Sequence, residues 1–130
     1  MSSDNIEVAK RWIEAYHARD LEGLKAVADS EIELRAASGE VLRGHEGLAK
    51  WTAHGWEADP PHYPKADRYE SKGDTVFALI DVELRSPETG DVVRVLPVGA
   101  EWKVRDGRVV RWAARPDREK LLEDAGLAKK

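Results

Sequence analysis

Apolar residues recur at helical spacing near the start of the chain. The apolar stripe consists of Ile6, Ala9, Trp12, Ile13 and Tyr16. Residues spaced three or four apart share one face of a helix, so the pattern predicts a helix through about residue 18. Asp4, with Glu7 three residues later, predicts its N-terminal cap. Asp20 predicts the cap of a second short helix over 21–28.

The helical period then gives way to alternation. Apolar and charged residues alternate over 32–35, which predicts a strand, and Ser38-Gly39 predicts a turn into a short return strand at 41–43. Gly44 begins a third predicted helix. The proline-rich stretch 59–64 ends this helix, because proline lacks the amide hydrogen and blocks the preceding helical turn.

The second half of the chain predicts a sheet and a closing helix. Strands are expected at 65–72, 75–85, 92–104 and 108–115. Asp106-Gly107 joins the last two as a hairpin, since both residues tolerate a positive φ. Asp117 predicts the cap of a final helix that ends at Gly126. Helices and antiparallel strands in this order predict an α+β fold with helices on one face of a sheet.

Strand 75–85 has two different sides. One side is wholly apolar and consists of Val76, Ala78, Ile80, Val82 and Leu84. The other side carries Phe77, Leu79, Asp81, Glu83 and Arg85. We expect the side with Asp81 to face a sheltered chamber. The apolar side is then the outer face, where it could pair with a second copy of the chain.

Composition narrows the function classes. The chain has 130 residues, of which 42% are hydrophobic and 35% charged, with a net charge of -4. These values favour a single folded domain over 1–130 and no nucleic-acid partner. Cysteine is absent, which excludes disulfides and thiolate metal sites. The N-terminus has no signal-like apolar run and no stretch suits a bilayer, so we expect a cytoplasmic protein without membrane contact.

Several segments together carry a resemblance to a known family. They are Arg19–Leu24, Glu33–Arg35, Leu42–Leu48, Lys72–Val76, Val104–Trp112 and Asp117–Leu127. With these segments the chain resembles the SnoaL-like branch of the nuclear transport factor 2-like superfamily, over nearly its whole length. The resemblance implies a cystatin-like, cone-shaped sheet, mixed or antiparallel, around N-terminal helices. It also implies an apolar cavity and dimers through the outer sheet face.

Members of that superfamily include polyketide cyclases, ketosteroid isomerases, epoxide hydrolases, dehydratases and non-catalytic carriers, and one fold hosts them all. The positions matching the isomerase catalytic set hold Trp12, Arg35 and about Ala100 here, which excludes that reaction. The positions matching the limonene-type epoxide hydrolases hold Leu79, Asp81 and about Ala114. Only Asp81 of that set is retained.

Four residues are candidates for catalysis. Asp81 interrupts an apolar run, and a carboxyl group in an apolar chamber suits proton transfer; alternatively it pairs with an arginine such as Arg35 or Arg94. Arg35 could bind an acidic substrate or an enolate oxygen, or neutralise Asp81. Tyr16 could donate a hydrogen bond to a ligand or simply belong to the core. His54 could act as a general base, or be an exposed helix residue.

The remaining candidates would line the chamber. They are Trp12, Trp51, Leu79, Glu83, Trp102 and Trp112. Glu83 could instead belong to a solvated rim, and the last two tryptophans could stack in the core. The sequence has no glycine-rich phosphate loop, so we expect no cofactor. Its histidines do not have the spacing of metal ligands, so we expect no metal site.

The sequence therefore predicts a protein with a pocket for a small, hydrophobic, oxygenated molecule. Acid–base chemistry of the isomerase, cyclase or hydrolase kind is one reading. A non-catalytic ligand carrier and a dimeric assembly module are the alternatives. The sequence does not decide among these readings, because the fold is shared and the catalytic sets of the relatives are not retained.

Overall fold

The structure is a computed structural model that describes residues 2–58 and 61–126. Its elements follow the predicted order. They are α1 (Ser2–His17), α2 (Leu21–Val27), β1 (Ala28–Arg35), β2 (Val41–Arg43), α3 (Gly44–Trp56), β3 (His62–Lys72), β4 (Thr75–Arg85), β5 (Val92–Arg105), β6 (Arg108–Arg115) and α4 (Arg118–Asp124). The chain thus has the α+β architecture that the sequence predicts.

The six strands of the described residues form one sheet in the order β2-β1-β6-β5-β4-β3. Neighbouring strands are antiparallel except β1 and β6, which are parallel. The register shifts between Ala66 and Arg68, between Leu84 and Arg85, and again in β5. Such irregularities bend strands, and the sheet curves around the helices.

Local capping and turn chemistry explain where several elements begin. The Asp20 side chain accepts a hydrogen bond from the Gly23 amide at the start of α2, and Asp117 accepts one from the Lys120 amide in α4. Asp106 and Gly107 both have a positive φ, of 55° and 78°. These three predictions are confirmed.

The boundaries of three elements differ from the prediction. α1 begins at Ser2, so Asp4 lies in its first turn and is not its cap. Ala28 is extended and starts β1 instead of ending α2. β3 begins at His62 and runs through Pro64, because an edge strand tolerates a residue without an amide donor.

The core lies between the helices and the concave face of the sheet. α1 packs on β3 and α2, and α3 packs on β1. Trp12, Leu24, Leu34 and Leu48 are fully buried there. The prediction of a cone wrapped around N-terminal helices is therefore confirmed.

The last helix, α4, lies on the convex face. A side chain at Gly99 would stand 2.5 Å from Cδ1 of Leu121, so the missing Cβ lets α4 pack closely against β5. Leu121 itself is buried. Among the described helices, none is long and apolar enough to cross a bilayer.

Candidate functional site

The side of β4 that faces the helices is the opposite of the predicted one. Ile80 and Val82 line a chamber between the sheet and the helices, together with Val98 and Ala100 of β5. Cross-strand partners share a face, and Ile80 is paired with Val98. The alternate residue Asp81 therefore lies on the convex face. The expectation that residues 77, 79, 81 and 83 point inward is wrong.

The chamber has a volume of about 340 Å³. This lies within the range of small-molecule sites, roughly 300–1,000 Å³. α1 and α3 form its roof, the inward residues of β4, β5 and β6 form its floor, and the loop over 36–38 contributes to its rim. Aliphatic and aromatic side chains supply most of this surface, so the chamber suits an apolar guest.

Three tryptophans form one aromatic wall of the chamber. The rings of Trp51 and Trp112 are 4.6 Å apart between centroids, and those of Trp12 and Trp112 are stacked at 6.5 Å. These residues come from α3, β6 and α1, so the wall exists only in the folded chain. The structure places all three in the lining, as the sequence predicts; their contact with a ligand stays a prediction.

Tyr16 adds a polar group to this wall. Its ring lies 5.2 Å from Trp51, and both it and Gly55 line the chamber. A side chain at Gly55 would collide with Tyr16 Oη, so glycine there makes room for the hydroxyl. Burial raises the pKa of Tyr16 to about 12, against a smaller opposite effect of Arg19. The hydroxyl is therefore protonated near neutral pH and can donate a hydrogen bond.

Two histidines stand on the chamber lining, one on α3 and one on β3. His54 is exposed, whereas His62 is half-buried. Burial lowers the pKa of His62 below 6.5, and the charge of His54 lowers it further. His62 is consequently neutral near pH 7 and can accept a proton.

Asp81 is not part of the chamber. Its carboxylate lies 2.7 Å from the Arg118 guanidinium, on the convex face, and its side chain is 45% exposed. Arg118 also donates to the carbonyls of Ile80 and Val98. The ion-pair reading of Asp81 is the one that the geometry supports, but the partner is Arg118 rather than Arg35 or Arg94.

Three further candidates also lie outside the chamber. Arg35 is exposed and pairs with Glu33 at 3.5 Å. Glu83 lies on the convex face with Arg85 and Lys65, and the hydrogen bond from Arg85 lowers the pKa of its carboxyl. Leu79 lies on the same convex face, in a small crevice beneath α4. Leu79 and Glu83 are predicted inward because they share the strand side of Asp81, which is the convex one. Arg35 is a candidate because it occupies the isomerase base position in the family resemblance, and that position on β1 is exposed here.

Trp102 belongs to the core rather than to the chamber lining. It is fully buried on the concave face, with its ring 6.4 Å from that of Tyr69. Its indole Nε1 has no hydrogen-bond partner among the described residues. Of the two readings that the sequence allowed, the structure supports stacking in the core.

His62 lines the chamber, although the sequence did not indicate it. It lies within the proline-rich stretch 59–64, which indicates a loop, yet it is the first residue of β3. Its inward orientation depends on its pairing with Leu84, a contact between segments more than twenty positions apart. One feature of the sequence could have indicated this orientation. The wholly apolar side of β4, to which Leu84 belongs, favours burial against the helices, and the partner of Leu84 shares that face.

A family model described as SnoaL-like domain matches residues 9–112. TerC, co-crystallised with polyporic acid, is 22% identical with a TM-score of 0.75, and the match covers 92% of this chain and 96% of that one. No protein of curated function matches the sequence.

Two further solved structures share the architecture. A putative polyketide cyclase from Sinorhizobium meliloti is 14% identical with a TM-score of 0.72, over 84% of this chain and 94% of that one. An epoxide hydrolase of the LEH-like type from Mycobacterium tuberculosis is 15% identical with a TM-score of 0.71, over 95% and 90%. At such identities the likeness shows a common fold.

Proposed function

The chain belongs to the SnoaL-like domain family, and we propose that it binds one apolar, oxygenated small molecule in the chamber under α1 and α3. The observation that carries this proposal is the chamber itself. It offers about 340 Å³ enclosed by apolar side chains, with a tryptophan wall on one side. Concave apolar sites with a few polar groups are the usual form of small-molecule sites.

Tyr16 would orient the ligand. Its hydroxyl keeps its proton, because its pKa is raised to about 12 by burial, and it lies beside Trp51. A carbonyl, hydroxyl or ether oxygen could accept its hydrogen bond while the carbon skeleton contacts the indoles. An apolar body with an oxygen near one end fits this arrangement.

One solved relative of the fold supports a ligand of this kind. TerC was co-crystallised with polyporic acid, an organic acid by its name. The match spans nearly the full length of both chains, so a chamber in the corresponding place is expected. Its sequence identity of 22% supports the kind of site and not the same ligand.

Filling the chamber tests this proposal. Val98 points into the chamber, whereas Val93, on the same strand, is 60% exposed. Val98→Trp should abolish binding of the neutral fluorescent probe N-phenyl-1-naphthylamine, and Val93→Trp, an identical substitution, should leave it unchanged. Fluorescence titration measures both. Equal binding by wild type and both variants would refute the chamber as the site.

Acid–base catalysis is a second candidate function. His62, half-buried in the lining with a lowered pKa, could take a proton from the ligand, and Tyr16 could stabilise an oxygen. Asp81 and Arg35 have no part in this version, because neither reaches the chamber. Mass spectrometry of a co-purified compound, before and after incubation, separates enzyme from carrier. Conversion that is lost in His62→Gln supports catalysis, and an unchanged compound supports the carrier.

We also propose that two copies of the chain pair through the convex sheet face. The wholly apolar side of β4 cannot serve, since it faces the helices. Among the described residues, the large apolar side chains that are exposed are instead those of Val92, Val93 and Val95 on β5, at 47%, 60% and 45% exposure. Sedimentation should show a dimer that Val93→Asp weakens and Thr89→Asp, in the neighbouring turn, does not. A monomer at micromolar concentration would contradict the pairing.

A further inference from the structure

We propose that the ligand carries an acidic oxygen, and that His54 and His62 hold this oxygen at the mouth of the chamber while the apolar body lies on the tryptophan wall. The acidic group would be a carboxylate, an enolate or another ionised oxygen. This inference rests on the proposed binding function and names the chemical class of the ligand.

The chamber lining contains few groups that could meet a charge. Among the described residues that line it, the ionisable ones are Tyr16, His54 and His62, and no aspartate, glutamate, lysine or arginine is present. A charge that leaves water needs a partner nearby. Carboxylates are absent from the lining, which disfavours a cationic guest. The two imidazoles can become positive, which favours an anionic one.

The two histidines come from different elements. His54 lies near the end of α3 and is exposed, and His62 begins β3 and is half-buried. An exposed and a half-buried residue on one lining mark the place where the chamber opens to solvent. A ligand entering there would leave its charged end at the opening, between the two rings, and would bury its apolar part.

The two rings influence each other in the free protein. The charge of His54 contributes to the lowered pKa of His62, after burial itself. An anion between them would reverse this effect, because it attracts the protonated form of each ring. Binding should therefore strengthen as the pH falls from 8 to 5.5, the range in which imidazole side chains commonly gain a proton.

Other charged groups around the opening agree with an anion. His17, the last residue of α1, bonds to the Pro64 carbonyl, and Arg19, in the turn after α1, donates to the Tyr63 hydroxyl. His62 of β3 pairs with Leu84 of β4, and Leu84 pairs with Arg94 of β5. Arg94 therefore lies two strands from His62, a distance of about 10 Å across the sheet.

α3 contributes one opposing charge near the opening, the exposed Glu57 at its C-terminal cap. β4 contributes Glu83, but this carboxylate is engaged by Arg85 at 2.5 Å on the other face of the sheet. The described charges near the two rings thus favour a negative guest, with two arginines against one free carboxylate.

Two probes with the same ring system test the inference. 1-Anilinonaphthalene-8-sulfonate is anionic throughout this pH range, and N-phenyl-1-naphthylamine is its neutral counterpart. The wild-type protein should bind the anion about tenfold more tightly at pH 5.5 than at pH 8, the change that one unit of pKa shift on binding produces. The affinity for the neutral probe should change less than about twofold.

Matched variants assign the effect to the two rings. His54→Gln and His62→Gln should each reduce the pH dependence of anion binding, and the double variant should remove it. Affinity for the neutral probe should persist in each, which also shows that the variants are folded. His45→Gln is the control: it lies on α3, about 14 Å along the helix from His54, where its ring contacts the Ala28 carbonyl.

The outcomes separate the two proposals. Equal pH dependence for both probes, or pH dependence of anion binding that survives in the double variant, would overturn the acidic-ligand inference and leave the binding function intact. Failure of the wild-type protein to bind either probe would overturn the binding function, and the inference with it.

Discussion

The two faces of the sheet differ in the kind of side chain they bury. The concave face buries large apolar groups, including Ile80, Trp102 and Trp112. The convex face carries charged residues that pair with one another, such as Asp81 with Arg118. Both faces are partly covered by helices, so cover alone does not decide which face holds a ligand.

Ion pairs on the convex face attach α4 to the sheet. Arg115 lies within hydrogen-bond distance of Glu101 and 2.5 Å from Asp124, and Arg118 joins α4 to Asp81 and to two strand carbonyls. These contacts leave little open space beneath α4, whereas the concave face retains a chamber. A charged residue that interrupts an apolar strand is therefore explained here by helix attachment rather than by catalysis.

The largest effect is expected from Trp12→Ala on the concave side. Trp12 is 1% exposed and packs against Trp51 and Trp112. Truncation of a buried tryptophan costs about 3–5 kcal/mol of unfolding free energy. Urea denaturation should show that loss together with loss of probe binding. Trp56→Ala, at a half-buried site, should cost less; an equal cost would contradict the central place of Trp12.

On the convex side, Leu121→Ala should cost about 2–5 kcal/mol of unfolding free energy. Leu121 is the buried residue of α4 and packs against β5 at Gly99. Probe affinity under native conditions should stay unchanged, because the substitution lies across the sheet from the chamber. Denaturation and titration of the same variant test both statements. A large loss of affinity in folded protein would show that the two faces are coupled.

Gly55→Ala should cost about 1–3 kcal/mol, the usual range for overpacking. The new methyl group would collide with Tyr16 Oη. Tyr16→Phe removes that oxygen, so the double variant should lose less than the sum of the two single losses. A double-mutant cycle measures this coupling, and strict additivity would place the hydroxyl elsewhere.

A small effect is expected from Asp81→Asn. Its carboxylate is 45% exposed and ion-paired at 2.7 Å, and exposed pairs contribute roughly 0–1 kcal/mol. Affinity for either naphthalene probe should not change. A loss of ligand binding or of turnover in this variant would restore Asp81 as a site residue.

Acid should weaken the attachment of α4 to the sheet. Of the changes in unfolding free energy predicted here, this one should be the smallest. A hydrogen bond from Arg115 lowers the pKa of Asp124 below 3.8. Because the folded value is the lower one, this stability is present above pH 3.8 and is lost as the pH falls through the folded value. Asp124→Asn should flatten the pH dependence of the unfolding midpoint there, and an unchanged profile would count against the contact.

Local chemistry made much of the fold predictable from the sequence. Caps such as Asp20 and Asp117, and the positive-φ turn at Asp106-Gly107, act over three or four residues, so they can be read directly. Strand ends were harder to predict: Pro64 is tolerated inside β3 because β3 is the edge strand beside β4, and the order of strands in the sheet is not visible in the local sequence.

The lining residues that lie on helices were predictable from the apolar stripes of those helices. Trp12, Tyr16, Trp51 and His54 lie in the lining because they project from the helix faces that pack toward the sheet. The orientation of β4 was predicted wrongly. Both of its sides carry buried apolar residues, and Phe77 on the convex side is 6% exposed. The cover that buries that side is α4, which comes from a segment some forty residues later.

The most direct measurement is a crystal structure of the protein grown with N-phenyl-1-naphthylamine. Density for the probe should fill the concave chamber, against Trp51 and Trp112 and within reach of Tyr16 Oη. Density on the convex face near Asp81, or a chamber filled by its own side chains, would contradict a ligand site on the concave face.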